Sequence, residues 1–177
     1  MKFINDNLKK AGYFNVVLII AAIIAKLATI KKVSMLVNID SIVCIIALVF
    51  GLFYSLSGYK KDSAKYYKVF MYLYFVSSVL SLLVPSIAPL SGKIDFFIVS
   101  INVIILILVF VLAFIKDLGV NKSTYISIFI LILNVVKLFY NVKMTVLLLG
   151  FSNLILACIV CVFVSAKYKD KESRGTK

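Results

Sequence analysis

The sequence lacks histidine entirely and has only seven acidic residues among 177. Histidine is the most frequent general base and metal ligand near neutral pH, so histidine-based triads and zinc sites lack their central residue here. The three cysteines, Cys44, Cys158 and Cys161, are an odd number and lie in apolar runs, which argues against a disulfide framework. We therefore predict a protein that is not an enzyme, with no catalytic residues, no metal site and no cofactor.

Proline and polar segments are also scarce. The chain has two prolines, and 63% of its residues are hydrophobic, well above the share in an average soluble domain. Such an excess of apolar side chains requires lipid around the protein rather than a larger core. We predict an all-α integral membrane protein, a six-helix bundle that forms one domain over residues 1–166, with a basic, solvated tail at 167–177.

The apolar runs and the breaks between them predict six membrane spans. Their expected bounds are 12–30, 35–58, 66–84, 96–115, 123–140 and 144–166. A hinge rich in lysine and tyrosine, from Gly58 to Lys68, separates the second span from the third, and a loop with Pro85 and Pro89 separates the third from the fourth. A Lys-Asp pair recurs near the end of every second span, which is compatible with three tandem helical hairpins.

The net charge of +13 comes from small clusters of basic residues between the apolar runs. Clusters of this kind favour a role in membrane topology and in contact with anionic lipid headgroups, and they argue against a nucleic-acid partner. Most of them fall on the side that holds both termini and the hinge, so the positive-inside rule predicts cytoplasmic termini in a multi-pass plasma-membrane protein. Within the hinge we predict a membrane-surface basic patch formed by Lys60, Lys61, Lys65 and Lys68.

Small residues at four-residue spacing predict where helices pack closely, since in lipid close packing drives helix association. The predicted packing residues are Ala21 and Ala25 in the first span, Ala47, Gly51 and Ser55 in the second, and Ala157 and Cys161 in the sixth. These seams would join helices of one chain, of two copies, or of this chain and a membrane partner.

Polar residues inside the apolar runs are the candidate functional residues, because such groups are costly in lipid. Lys26 and Asp40 lie at equal distances from Val33, so they are expected at similar depth, where they either pair or extend separately to the surface. Asn102 and Asn134 lie in the outer halves of their spans and Asn153 lies near mid-span, and the outer half of the third span carries Ser77, Ser78 and Ser81. We expect Lys26, Asp40 and the three asparagines to line an outward-facing polar cavity; the alternative is a set of separate hydrogen bonds between helices.

In its size, its six predicted spans and the Ala21/Ala25 spacing, the chain resembles the substrate-binding S components of energy-coupling-factor vitamin transporters. The resemblance implies an outward-facing site beneath a loop and a small-residue face that contacts an energising subunit. The functional hypothesis is therefore a solute-binding, transport or accessory membrane subunit. The alternative is a structural, assembly or immunity-type membrane protein that acts through lateral helix contacts.

Overall fold

The structure, a computed structural model, describes residues 2–30, 35–83, 92–115, 118–140 and 144–175. These ranges contain six long helices and no strand, which confirms the all-α prediction. The helices are α1 (Lys2–Thr29), α2 (Met35–Leu56), α3 (Ala64–Leu83), α4 (Gly92–Phe114), α5 (Val120–Phe139) and α6 (Met144–Gly175). A short 3₁₀ turn at Lys61–Ser63 leads into α3.

Within these ranges, five helices are long and apolar enough to cross a membrane: the segments are Lys10–Thr29, Val37–Leu56, Phe96–Phe114, Asn121–Phe139 and Leu147–Lys167. The remaining helix, α3, differs because its lysines, tyrosines and serines lower its hydropathy. The chain is thus a multi-pass membrane protein. When the charged ends of α1 and α6 are left out of the comparison, α3 is the most polar of its long helices.

Each helix packs against the next helix in the chain, and α6 also packs against α1. Contacts between early residues of one helix and late residues of its neighbour, such as Gly12 with Ser55, show that neighbouring helices are antiparallel. We call the end at which α1 ends and α2 begins the loop end. The opposite end, where α1 begins and α6 ends, is the terminal end.

The outer surface of the bundle is apolar. On α2, Ile42, Ile46, Val49 and Phe53 are exposed at helical spacing, whereas the residues between them face the bundle. α1, α4 and α5 show the same pattern. A large exposed apolar surface of this kind indicates lipid as the surrounding solvent, because each helix satisfies its own backbone hydrogen bonds.

The helices extend beyond the predicted spans at both termini. α1 begins at Lys2, whereas the first span was predicted from residue 12, and α6 continues to Gly175, so most of the predicted tail at 167–177 is helical. Lysine and glutamate are good helix formers, and no proline or glycine lies between Ala166 and Gly175. The predicted loop with Pro85 and Pro89 lies outside the described residues, and α4 begins at Gly92.

An aromatic cluster closes the terminal end. Phe163 of α6 lies with its ring centroid 5.1 Å from that of Tyr54 and 5.0 Å from that of Phe70, both edge-to-face. Gly51 leaves the space for these rings, since a Cβ atom there would lie 3.3 Å from both Phe163 and Phe70. Edge-to-face pairs add to the stabilisation from burial, so this cluster ties α2, α3 and α6 together.

The predicted packing residues divide into two groups. Ala47, Gly51, Ser55 and Ala157 are buried between helices. The other three, Ala21, Ala25 and Cys161, are only partly buried. On α1 the buried alanine is Ala22, one position from the predicted seam.

We expect Gly51→Ala to destabilise the protein, because its Cβ atom would lie 3.3 Å from two tightly packed rings, which must shift to make room. Overpacking of this kind costs about 1–3 kcal/mol. Thermal unfolding in detergent measures the loss. Gly51→Ala combined with Phe163→Leu should lose less than the sum of the two single changes, because the smaller side chain makes room; strictly additive losses would show that the two sites do not interact.

Candidate functional site

A buried ion pair lies near the loop end. Lys26 of α1 is 1% exposed, and its Nζ lies 3.0 Å from Asp40 Oδ2 of α2. The register of the antiparallel hairpin places both side chains a few residues from the α1–α2 connection, at similar depth. Of the two outcomes predicted for these residues, the structure therefore shows the pair.

The second oxygen of the carboxylate binds a third helix. Ser77 of α3 donates a hydrogen bond to Asp40 Oδ1. Because this bond uses the only hydroxyl proton of Ser77, the Cys44 thiol, whose sulfur lies 2.9 Å from Ser77 Oγ, must be the donor in that contact. Both oxygens of Asp40 are therefore occupied, which offsets the cost of removing its charge from water.

A fourth helix joins this network through Asn153 of α6. Lys26 Nζ donates to Asn153 Oδ1 at 3.4 Å. One turn closer to the loop end, Thr29 Oγ1 donates to the Lys26 carbonyl oxygen at 2.7 Å and lies 3.2 Å from Ser41 Oγ. The ion pair thus connects α1, α2, α3 and α6 at one level of the bundle.

A second lysine lies on the other side of the bundle. Lys137 of α5 is partly buried, and its Nζ donates to Asn102 Oδ1 of α4 at 2.7 Å. Within the described residues Lys26–Asp40 is the one salt bridge, so no carboxylate there lies in ion-pair range of Lys137. This ammonium therefore has an amide as its partner where Lys26 has a carboxylate.

Between the two lysines lies a cavity of about 30 Å³. The predicted residues Asp40, Asn102, Asn134 and Asn153 line it together with Lys137. Lys26 contacts two of these residues and does not itself line the space. The three asparagines come from three different helices, α4, α5 and α6, and they meet at one cavity.

The largest share of the lining comes from α3, through Tyr74, Ser77, Ser78 and Ser81. Ser77, Ser78 and Ser81 were predicted to lie in the outer half of the third span, at the depth of the cavity, whereas Tyr74 was not predicted there. Their spacing of three and four residues places them on one face of a helix. This polar face of α3 was therefore visible in the sequence, and it is one reason that α3 has a lower hydropathy than the other spans.

Asn134 shows how the lining residues are held. It is 4% exposed, and its amide Nδ2 donates to the carbonyl oxygen of Ile130 one turn earlier at 2.9 Å. Ser78 and Ser81 likewise donate to carbonyl oxygens of their own helix. These bonds satisfy the hydroxyl protons locally and leave oxygen lone pairs and amide protons for a solute or water.

A smaller polar cluster lies at the terminal end. Asn15, Ser55 and Tyr59 are each at most 3% exposed, and their side-chain polar atoms lie near one another without reaching hydrogen-bond geometry. Burial raises the pKa of the Tyr59 phenol. Tyr59 also has a positive φ of 61°, which is unusual for a residue with a large side chain.

The predicted basic patch lies on the surface near the start of α3. Lys60, Lys65 and Lys68 are exposed, and Lys65 Nζ lies 5.2 Å from the centroid of the Tyr66 ring. The side chain of Lys61 lies outside the described residues. These lysines are at the terminal end, away from the polar cavity.

Comparison with known proteins finds no match to a family model, to a curated protein or to a solved structure.

We expect Asp40→Asn to lower the thermal stability strongly, because it leaves the Lys26 ammonium buried without a counter-charge. Breaking a buried pair typically costs about 3–5 kcal/mol. Lys26→Met should also destabilise, but the double variant should lose much less than the sum of the two. Thermal unfolding of the four proteins in detergent gives the coupling; additive losses would contradict a pair that contributes as a unit.

Proposed function

We propose that this protein is a six-span membrane protein whose polar cavity binds a small solute, as a solute-binding, transport or accessory subunit. The observation that carries the proposal is the convergence of polar side chains from five helices on one space in an otherwise apolar bundle. Polar groups in a lipid-embedded bundle usually line substrate pathways or pair with one another. In this bundle Asp40, Asn102, Asn153 and Lys137 form hydrogen bonds or an ion pair with other side chains, and the same residues also line the cavity.

The sixth span in this proposal is α3. Its 20 residues correspond to a helix about 30 Å long, which matches the hydrocarbon core. It packs between α2 and α4, both of which are long and apolar enough to cross a membrane. Its serines face the cavity rather than lipid, so its low hydropathy is compatible with a position inside the bundle.

The volume of the cavity limits the solute. Pockets for drug-sized ligands measure about 300–1,000 Å³, whereas this cavity measures about 30 Å³. A space of this size suits an ion or a few water molecules. A vitamin-sized substrate, which the resemblance to energy-coupling-factor S components implies, would require the helices to move apart.

The cavity lies near one end of the bundle only. The terminal end is filled by the aromatic cluster around Phe163, which packs α2, α3 and α6 against one another. This arrangement favours a binding site that opens to one side of the membrane. With both termini in the cytoplasm, that side is the exterior.

The alternative function is structural: an assembly or immunity-type protein that acts through lateral helix contacts. The partly exposed small residues Ala21 and Ala25 of α1 favour it, because small residues on an outer face allow a second helix to approach closely. Under this alternative the polar network only holds the bundle together, and the cavity has no access to solution.

The proposed orientation predicts that the C-terminus lies in the cytoplasm. A reporter that works only in the cytoplasm should therefore be active when it is fused after Lys177. The reason is the excess of lysine and arginine at the terminal end, which stays on the cytoplasmic side. A pair of reporters, one that works in the cytoplasm and one that works outside it, gives the measurement. Activity of the exterior reporter would place the cavity on the cytoplasmic side instead.

The proposed cavity predicts that Ser81→Cys, in a background with Cys44, Cys158 and Cys161 changed to serine, reacts with a membrane-impermeant thiol reagent added from outside. Ser127→Cys is the matched control, because Ser127 is fully buried on α5 and lies away from the cavity. We expect labelling at least tenfold faster at position 81. Equal protection of both positions would favour the structural alternative.

A further inference from the structure

We propose that the solute is a small monovalent inorganic anion, held between Lys137 and the amides of Asn102 and Asn153. This inference rests on the proposed binding function of the cavity and assigns the chemical class of its ligand. It depends on three features of the described residues: the balance of charge, the orientation of the amides and the volume.

Among the described residues, the charges around the cavity are not paired one to one. Lys26 and Asp40 neutralise each other at 3.0 Å, and no further carboxylate of these residues is in ion-pair range of the Lys137 ammonium. An ammonium group that is partly removed from water is costly unless a negative charge accompanies it. Because the described part of the chain shows no carboxylate at Lys137, a bound anion supplies the charge that is needed.

The two lysines also orient two amides of the cavity. Lysine is a donor only, so Asn102 and Asn153 must present their carbonyl oxygens to Lys137 and Lys26. The NH₂ group of each amide then points away from the lysine that it binds. Both residues line the cavity, which therefore has amide N–H donors from α4 and α6 beside the ammonium from α5.

The cavity volume of about 30 Å³ favours a compact ion over an organic acid. A halide or a small oxyanion such as nitrate needs few ligands, and hydrogen bonds from ammonium and amide groups to an ion are stronger than those between neutral groups. A cation is disfavoured, because Asp40, the carboxylate among the described lining residues, already binds Lys26 and Ser77.

Thermal unfolding of the purified protein in detergent tests the inference. We expect chloride, bromide or nitrate to raise the unfolding temperature with saturation, and gluconate at the same ionic strength to have no such effect, because a ligand that binds only the folded state stabilises it. Lys137→Met should weaken this stabilisation at least tenfold in apparent affinity. Lys137→Gln serves the same purpose if the methionine variant does not fold.

Two lysine controls separate the cavity from general effects of charge. Lys137→Arg keeps the positive charge and should retain part of the stabilisation. Lys122→Met removes an exposed lysine at the other end of the same helix and should change nothing. If Lys137→Met responds to anions as the wild-type protein does, the anion binds elsewhere and the inference is wrong.

Asp95→Asn tests whether a protein carboxylate takes the role of the anion. Asp95 lies two turns before Asn102 on α4, and its side chain is outside the described residues. The inference predicts that anions stabilise the wild-type protein and Asp95→Asn alike. Stabilisation seen only in Asp95→Asn would show that Asp95 is the natural counter-charge and would overturn the inference.

The labelling of Ser81→Cys distinguishes this inference from the function on which it rests. Rapid labelling without any anion-specific stabilisation would overturn the assignment of the ligand as an anion. It would leave the proposal that the cavity binds another small solute. If Ser81→Cys is protected from the reagent and anions do not raise the unfolding temperature, both the solute-binding function and the anion assignment are overturned.

Discussion

The loop end of the bundle depends on neutralising one lysine in a lipid environment. Lys26 is almost completely buried and pairs with Asp40. A single ammonium at such a position is too costly to leave alone, and a single carboxylate has the same difficulty. The pair requires α1 and α2 to keep a register in which the two side chains meet, and Asp40 extends that requirement to α3 through Ser77. Asn153 extends it to α6.

The interior of the bundle is packed differently at its two ends. At the terminal end Gly51 allows aromatic rings from α2, α3 and α6 to fill the interior. At the loop end polar side chains of modest size meet, and they leave a space beside Asn102 and Asn134. An interior filled with rings excludes solutes, whereas a polar space with spare donors and acceptors can hold them. This difference between the ends supports the proposal that the binding site opens to one side of the membrane.

Particular residues show how far sequence reasoning reached. The equal spacing of Lys26 and Asp40 from Val33 placed them at one depth, and distance along the chain placed Asn102 and Asn134 in the same half of the membrane and Asn153 near mid-span. The helical phase was less accurate: Ala21 and Ala25 were selected on α1, but Ala22 is the buried alanine. In a span that is apolar on every side, hydrophobicity does not identify the inward face. Tyr74 was not predicted, and only the packing of α3 shows that it faces the cavity.

The sequence by itself determined that lipid surrounds this chain, that its elements are helices, and at which depth each polar residue lies. These properties follow from composition and from distance along a helix of fixed rise. The tertiary structure alone decided which polar groups meet: that Lys26 binds Asp40, that Asn102 binds Lys137, and that a space remains between the two lysines. Those outcomes depend on the rotation of each helix about its axis and on packing between helices that are not adjacent in sequence. Neither is encoded in a local pattern of apolar residues.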